Sequence, residues 1–410
     1  MNLRKIHLRD LILSIITILI ILNLGILNFG DFRKPIQWLT AIVAILLFAF
    51  SLSHKSVSKR ITKYSHFTFV WISIFMAFLT IELFYALLSS NMSFRVVASK
   101  IYIYLWVLLY YPILYLMTFE DTKRKLFKRI CLWTVVAMGL NTVVWYLYNY
   151  HHKVVMYYVL FQNGENYLRN GLQRIGTTSL TGWLFAASIY LFAVGKHKYD
   201  KIIAAVLIGF NLWYAQIVFQ SRAQVLTLCF CIFFVAVFAK KKPLKTIILY
   251  CALFAALVAF EQSDYFAEFL NGMSVQTYSI GTRVEAINYY VDLLKNHYLL
   301  GINAISDLDT IRGTAGRFYF SDLGIASKLF EFGILGLIVF VIPIIRIGCQ
   351  GVFKINKNDE QYPFAASLAV YTLVFSLLSN DIYSWARLFA LPFILAYFDF
   401  KVGGRIRENT

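Results

Sequence analysis

The stretch LILSIITILIILNLGILNF, residues 11–29, contains no charged side chain. A helix of that length rises 1.5 Å per residue and spans a hydrocarbon core of about 30 Å. The stretch shows no period-two alternation, so in lipid its backbone is satisfied as a helix rather than as a barrel strand. It is too long for the apolar part of a typical signal peptide and lacks a small-x-small cleavage site, which predicts a retained first helix. Comparable segments lie near 36–52, 66–90, 96–118, 127–150, 179–195, 202–219, 222–239, 244–260, 324–348, 362–379 and 382–400. The expected fold class is therefore all-α: a single polytopic transmembrane helical bundle over residues 1–410, of about twelve spans. Pro35, Pro243 and Pro363 fall at helix starts, whereas Pro112, Pro343 and Pro392 fall inside helices and predict kinks.

Composition agrees. Of 410 residues, 60% are hydrophobic, and the mean hydropathy is +0.65. Soluble domains hold about 45–50% apolar residues, so no water-soluble core accommodates the excess. The formal net charge is +18. In a membrane protein, lysine and arginine first set topology and meet anionic lipid. No RNA-binding motif or basic repeat accompanies the charge, and no nucleic-acid partner is expected. With the N-terminus inside, 25 of the 39 Lys and Arg fall on the inner side and every inner segment holds at least three. That bias predicts cytoplasmic N- and C-termini.

Two outer loops exceed ordinary connection length. The first covers residues 150–178. The second, between spans nine and ten, covers 261–323 and is rich in tyrosine and phenylalanine. Within it, Ile287, Tyr290, Val291 and Leu294 repeat at helical spacing and predict an amphipathic helix near 283–295.

The outer face also carries the candidate chemistry. Ser221-Arg222-Ala223-Gln224 reads as a capping box, with Ser221 the N-cap and Arg222 the first helical residue. A helix N-terminus offers free N–H groups and partial positive charge, and an arginine there makes a site suited to phosphate. Thr282-Arg283-Val284-Glu285 repeats the pattern. Two such starts on one face can grip a diphosphate; each alone is equally an interfacial arginine or a capped surface helix. Arg174, in Gln173-Arg174-Ile175-Gly176, lies just before the next helix. It reads as a ligand or as a headgroup anchor. Arg317 and Asp322 precede Gly324, where the tenth helix is expected to start. Asp322 suits a general base or a helix-dipole charge. Glu82, Lys100, Glu331 and Arg387 fall inside spans, all in the outer half. Embedded ionisable groups face a polar cavity or one another, so a cavity opening outward is expected. The cysteines form no CxxC pair and the histidines are scattered, so neither a disulfide framework nor a metal site is expected.

Four segments, in order, resemble the O-antigen ligase and polymerase family, which includes bacterial capsular and exopolysaccharide polymerases. Arg174-Ile175-Gly176 resembles its Arg-x-Gly, and Phe219-Gln220-Ser221-Arg222-Ala223 resembles its Ser-Arg helix start. Thr282-Arg283 with Asn296-His297-Tyr298-Leu299-Leu300-Gly301 resembles its arginine leading to an Asn-Pro-Leu-x-Gly turn. Glu331-Phe332-Gly333-Ile334-Leu335-Gly336 resembles its following Glu-x-Gly helix. The match covers about residues 170–345. The resemblance implies a cofactor-free, metal-independent glycosyltransferase on the outer face of the bacterial cytoplasmic membrane. Its donor would be an undecaprenyl-diphosphate-linked oligosaccharide, and a flippase and a chain-length regulator would be partners. Arg222 and Arg283, with Arg174, would hold the diphosphate. Where family ligases carry a histidine, this chain has Asp322, which favours polymerase over ligase. Arg317, Glu82, Arg387 and Glu331 are the further candidates for substrate binding.

Overall fold

The computed structural model describes residues 8–25, 33–64, 66–89, 93–153, 168–169, 172–176, 178–238, 280–302, 318, 320–378, 382–384 and 387–408. The helices are α1 (Leu8–Asn23), α2 (Arg33–Ser53), α3 (Lys55–Ile61), α4 (His66–Ser89), α5 (Phe94–Met117) and α6 (Glu120–His151). After a two-residue β-hairpin (Leu168–Arg169 with Leu172–Gln173) come α7 (Thr181–Val194), α8 (Lys198–Val218) and α9 (Arg222–Phe238). Then follow α10 (Ile280–Leu294), α11 (Ser327–Cys349), α12 (Tyr362–Leu378) and α13 (Leu391–Glu408). The expected span at 244–260 lies outside the described residues.

Among the described residues, six helices are long and apolar enough to cross a membrane: α2, α4, α5, α6, α8 and the 32-residue stretch Leu323–Lys354 that contains α11. Three apolar helices, α7, α9 and α12, are shorter. The outward faces match lipid rather than water. Leu46 of α2, Leu88 of α4 and Val206 of α8 are 62%, 86% and 64% exposed. The centre is α5, whose residues from Tyr104 to Met117 are almost all buried. Tyr104 meets the rings of Phe75, Phe332 and Phe340 at 6.0, 5.7 and 5.5 Å.

One end of the bundle is tied by a buried polar knot. Arg346 pairs with Asp399 at 2.5 Å and donates to Thr68 at 2.6 Å. Tyr110 donates to Asp399 at 2.6 Å, and Thr68 donates to the same carboxylate. The knot joins α4, α5, α11 and α13, and each partner desolvates with its complement in place.

At the opposite end helices are interrupted. Proline does not mark the breaks. α11 runs through Pro343 without non-helical dihedrals, and Pro392 lies in the first turn of α13, where no hydrogen bond is lost. A 3-10 stretch, Tyr102–Leu109, does precede Pro112. The breaks are at Gly324 and Gly333, with φ of +58° and +65°. Helical geometry accordingly begins at Ser327, after a 3-10 turn at Phe320–Ala326, and not at Gly324.

The Gly333 break is filled by the turn before it in sequence. Ile334 N–H donates to the Tyr298 carbonyl at 2.9 Å and Leu335 N–H to Leu299 at 3.4 Å. Ile302 N–H donates to the Phe330 carbonyl at 2.9 Å. Backbone groups freed by the break thus find partners inside an apolar bundle, as burial requires. The close approach needs glycine on both sides. A Cβ on Gly301, at φ +71°, would stand 2.5 Å from Gly333 N, and one on Gly333 would stand 2.3 Å from the Leu299 carbonyl.

Two details of α10 differ from expectation. It begins at Ile280, so Thr282 lies inside the helix and is not its N-cap. Its buried face is Ala286 and Tyr290, packed on Ile302 and Phe330, whereas Ile287 and Val291 are exposed. Helical spacing identified the helix but not the face that packs.

Gly301→Ala and Gly333→Ala should each destabilise the protein by about 2–4 kcal/mol, since strained φ and steric overlap add. Gly209→Ala, with nothing within 4 Å of the new methyl, should be neutral or stabilising. Thermal unfolding in detergent compares them.

Candidate functional site

The start of α9 keeps the expected N-cap but makes only half of the expected capping box, because the Ser221 N–H is taken by Ala215 and not by the Gln224 side chain. Gln220 turns the chain at φ +52°, and Ser221 N–H is held by the Ala215 carbonyl at 3.0 Å. The Ser221 hydroxyl accepts from Gln224 N–H at 3.3 Å, which makes Ser221 the N-cap and Arg222 the first helical residue. Ala215 belongs to the π-turn Tyr214–Val218 that ends α8. The same turn anchors the segment carrying Arg174. Ile175 N–H donates to the Val218 carbonyl at 3.0 Å, and the Tyr214 hydroxyl donates to the Gly176 carbonyl at 3.0 Å. Asn149 clamps Gln173 from both sides, accepting from its N–H at 2.8 Å and donating to its carbonyl at 3.2 Å. Arg174 and Arg222 are therefore both held by one turn of α8.

Beyond Gly176 the chain runs through Thr178 and Ser179 into α7. The start of α7 borders a small, partly open cavity of about 20 Å³, whose other walls are α12 and the residues leading into α13. Ser179, Gly182 and Trp183 line it from α7, Tyr371, Phe375 and Ser376 from α12, and Arg387 from the third side. Arg387 is 5% exposed, with its guanidinium carbon 3.4 Å from the centre of the Phe375 ring. It caps the 3-10 turn Leu388–Ala390, which leads directly into α13. Below the cavity Trp183 packs on Phe127, Phe364 and Tyr397, at 5.8, 5.1 and 5.8 Å. The cavity is thus floored by aromatic rings.

Helix register sets the level of Arg222 relative to this cavity, although Arg222 does not line it. α9 packs on α12, and the Cys231 thiol donates to the Ser367 carbonyl at 3.4 Å. The two helices are antiparallel, because Lys357, ahead of α12, stacks on Phe238 at the end of α9. Going from Cys231 back to Arg222 covers the same number of residues as going from Ser367 forward to Ser376. Arg222 therefore lies level with Ser376 on the cavity wall.

The other expected residues are placed as follows. Arg283 is exposed in the first turn of α10. Two turns along, Tyr290 anchors that helix against Phe318, Phe320 and Phe330, at ring distances of 6.3, 4.6 and 5.4 Å. Asp322 lies in the Phe320–Ala326 turn, which packs on α12. Arg317 lies outside the described residues. Glu331 is 9% exposed and pairs with Lys328 at 2.8 Å. That ammonium also reaches the Tyr104 hydroxyl at 3.4 Å. Glu82 is fully buried on α4, between Phe78, which meets Phe332, and Tyr85, whose hydroxyl lies 2.9 Å from His297 Nδ1. Positions three and four apart share a helix face, so Glu82 is turned toward the Gly301–Gly333 junction. Neither of its carboxylate oxygens has a hydrogen-bond partner among the described residues. Lys100 is half-buried on α5.

The embedded charges thus do not form one cluster. Arg387 joins the cavity with the N-terminal ends of α7 and α13, Glu331 is matched by Lys328, and Glu82 faces the helix break. Sequence reasoning did not single out Lys328, Ser179 or Trp183. Lys328, four residues into its expected span, is indistinguishable in sequence from an interfacial lysine. Ser179 and Trp183 carry no charge that would draw attention.

Removing one partner of a buried pair leaves the other charge uncompensated. Lys328→Met should destabilise by about 3–5 kcal/mol, and Lys328→Met with Glu331→Leu should recover most of that loss. Thermal midpoints of the single and double variants measure it.

No family model matches the chain, and no curated protein matches it.

Proposed function

We propose that this protein is a polysaccharide polymerase of the cytoplasmic membrane, joining oligosaccharide repeat units carried on a polyprenyl diphosphate. The observation that carries the reading is the convergence of Arg174, Arg222 and Arg387 at one end of the bundle. Arg174 and Arg222 hang from one turn of α8, and Arg222 lies level with the cavity that holds Arg387. The starts of α7, α9 and α13 lie at that same end, and each helix start contributes about half a positive charge. Fixed positive charge is what a diphosphate leaving group requires.

In the proposed reaction an acceptor hydroxyl attacks the anomeric carbon of the donor. The new glycosidic bond forms as the bond from that carbon to the diphosphate breaks, and the electron pair leaves with the diphosphate. Arg222, Arg283 and Arg174 stabilise the charge that develops there. The hydroxyl proton passes to a base, for which Asp322 is the proposed residue. In this reading the arginine end faces outward, the termini are cytoplasmic, and the bundle has about twelve spans.

Transport of lipid or polysaccharide is the second reading, and the helix break at Gly333 favours it, since broken helices line transporter sites. Analysis of a deletion strain separates the readings. A polymerase predicts single lipid-linked repeat units and no long polymer. Long polymer left on the lipid would indicate a ligase instead, and unaltered long chains would refute glycosyl transfer.

Arg222→Lys and Arg283→Lys should each lower polymer formation about 10²–10³-fold, because a point charge replaces a bidentate fork. Wild-type rates in either variant would remove that residue from the mechanism.

A further inference from the structure

Glu82 is 0% exposed, and neither of its carboxylate oxygens has a hydrogen-bond partner among the described residues. An ionised carboxylate so placed has neither water nor a hydrogen-bonded counter-charge, and a group in that position takes up a proton instead. The charged and ionisable groups of the elements packed against α4 leave that unchanged. α5 contributes Arg95, which is exposed, with Lys100 and Tyr104. α11 contributes Lys328, paired with Glu331 at 2.8 Å, and Arg346, paired with Asp399 at the far end. The turn after α10 contributes His297 and Lys295, the latter paired with Asp292 at 2.7 Å. None of them hydrogen-bonds to Glu82. A proton needs no cavity, so its binding leaves the packing of α4 undisturbed.

We propose that Glu82 is a proton-binding site whose occupancy keeps the Gly301–Gly333 junction closed. The site is independent of the reaction proposed above. Two contacts on the Glu82 face pin α4 to either side of the helix break. Four residues before Glu82, Phe78 meets the ring of Phe332, the neighbour of Gly333, at 6.1 Å. Three residues after it, the Tyr85 hydroxyl lies 2.9 Å from His297 Nδ1. His297 belongs to the turn that fills the break. Its N–H donates to the Leu294 carbonyl at 2.8 Å, and its carbonyl accepts from Gly301 N–H at 2.7 Å. Glu82 lies between these two contacts, so its carboxyl reaches water when α4 and the turn part. On opening, the carboxyl proton passes to water, the O–H electron pair stays on the carboxylate, and the new charge is hydrated. Closing on the ionised form would bury an uncompensated charge, so closure requires the proton back. Raising the pH therefore favours the open arrangement, and lowering it favours the closed one. An apolar residue at position 82 would hold α4 in place without this dependence, which is what gives a lone embedded carboxyl its functional meaning.

Hydrogen–deuterium exchange of the purified full-length protein in detergent tests the coupling, read at the amides of Gly301, Ile302, Ile334 and Leu335. Corrected for the intrinsic pH dependence of exchange, opening in the wild type should rise about tenfold per pH unit, as the release of one proton per opening requires. Glu82→Gln, a neutral isostere, should abolish that extra dependence. Glu82→Met, also neutral, gives the same comparison where Glu82→Gln does not fold. Infrared difference spectra of the wild type against either variant should show the carbonyl stretch of a protonated carboxylic acid at neutral pH. The inference is overturned if that band is absent, or if exchange in the wild type shows no extra pH dependence. It is also overturned if the dependence persists in the variants, which would assign it to another group such as His297. No turnover is measured, so the outcome is the same whether or not the protein joins sugar chains.

Discussion

Gly301 and Gly333 meet backbone to backbone, and much of the functional end depends on that contact. In an apolar bundle a helix can be interrupted only where its freed N–H and C=O groups find partners. Here the partners are the carbonyls of Tyr298 and Leu299 and the N–H of Ile302. Because the break is satisfied, the chain changes direction between Phe332 and Ile334. Lys328 then comes to lie 5.5 Å from the Phe340 ring, and Phe332 stacks on Phe340 at 5.0 Å. The same junction receives the face of α4 that carries Glu82 and Tyr85, and the residues flanking it hold α10 and its Arg283. At the opposite end the irregularity is a π-turn, Gln350–Lys354, that continues α11. There Arg346 and Asp399 tie four helices into one unit, a rigid base for the interrupted end.

The second consequence is electrostatic. Helices α7, α9 and α13 begin at the interrupted end, and their approaches carry Arg174, Arg222 and Arg387. In a medium of low dielectric, partial charges at helix starts act over longer range than they would in water. Helix starts and positive side chains gathered at one end favour an anionic ligand, which is why their convergence carries a functional reading. The arginines differ in exposure. Arg387 is buried beside Phe375, in a cavity floored by aromatic rings, whereas Arg283 is exposed and free to meet a large ligand.

Several of these features were legible in the residues alone. The helical class follows from apolar runs that nothing but a membrane bundle accommodates. Ser221 and Arg222 were readable because a cap is a local interaction, decided by residues three apart. Thr282 shows the limit of that logic, since an equally good capping pattern lies inside α10. Pro392 falls in the first turn of α13, where no hydrogen bond is lost, whereas at Pro343, inside α11, the carbonyl left without its donor, that of Val339, accepts from Trp71 Nε1 at 2.9 Å. The break at Gly333 was hidden because it requires Gly301, a residue distant in sequence, to approach within contact. For the same reason the Lys328–Glu331 pair and the donors Ser179 and Trp183 emerged only from the fold: their meaning lies in what surrounds them.

The most direct measurement of the central claim is reconstitution of the purified protein in liposomes with a lipid-diphosphate-linked repeat unit, following both products together. Glycosyl transfer predicts one free lipid diphosphate released for each new glycosidic bond, without added metal. Movement of the intact lipid-linked unit across the bilayer, with no diphosphate released and no bond formed, would contradict it.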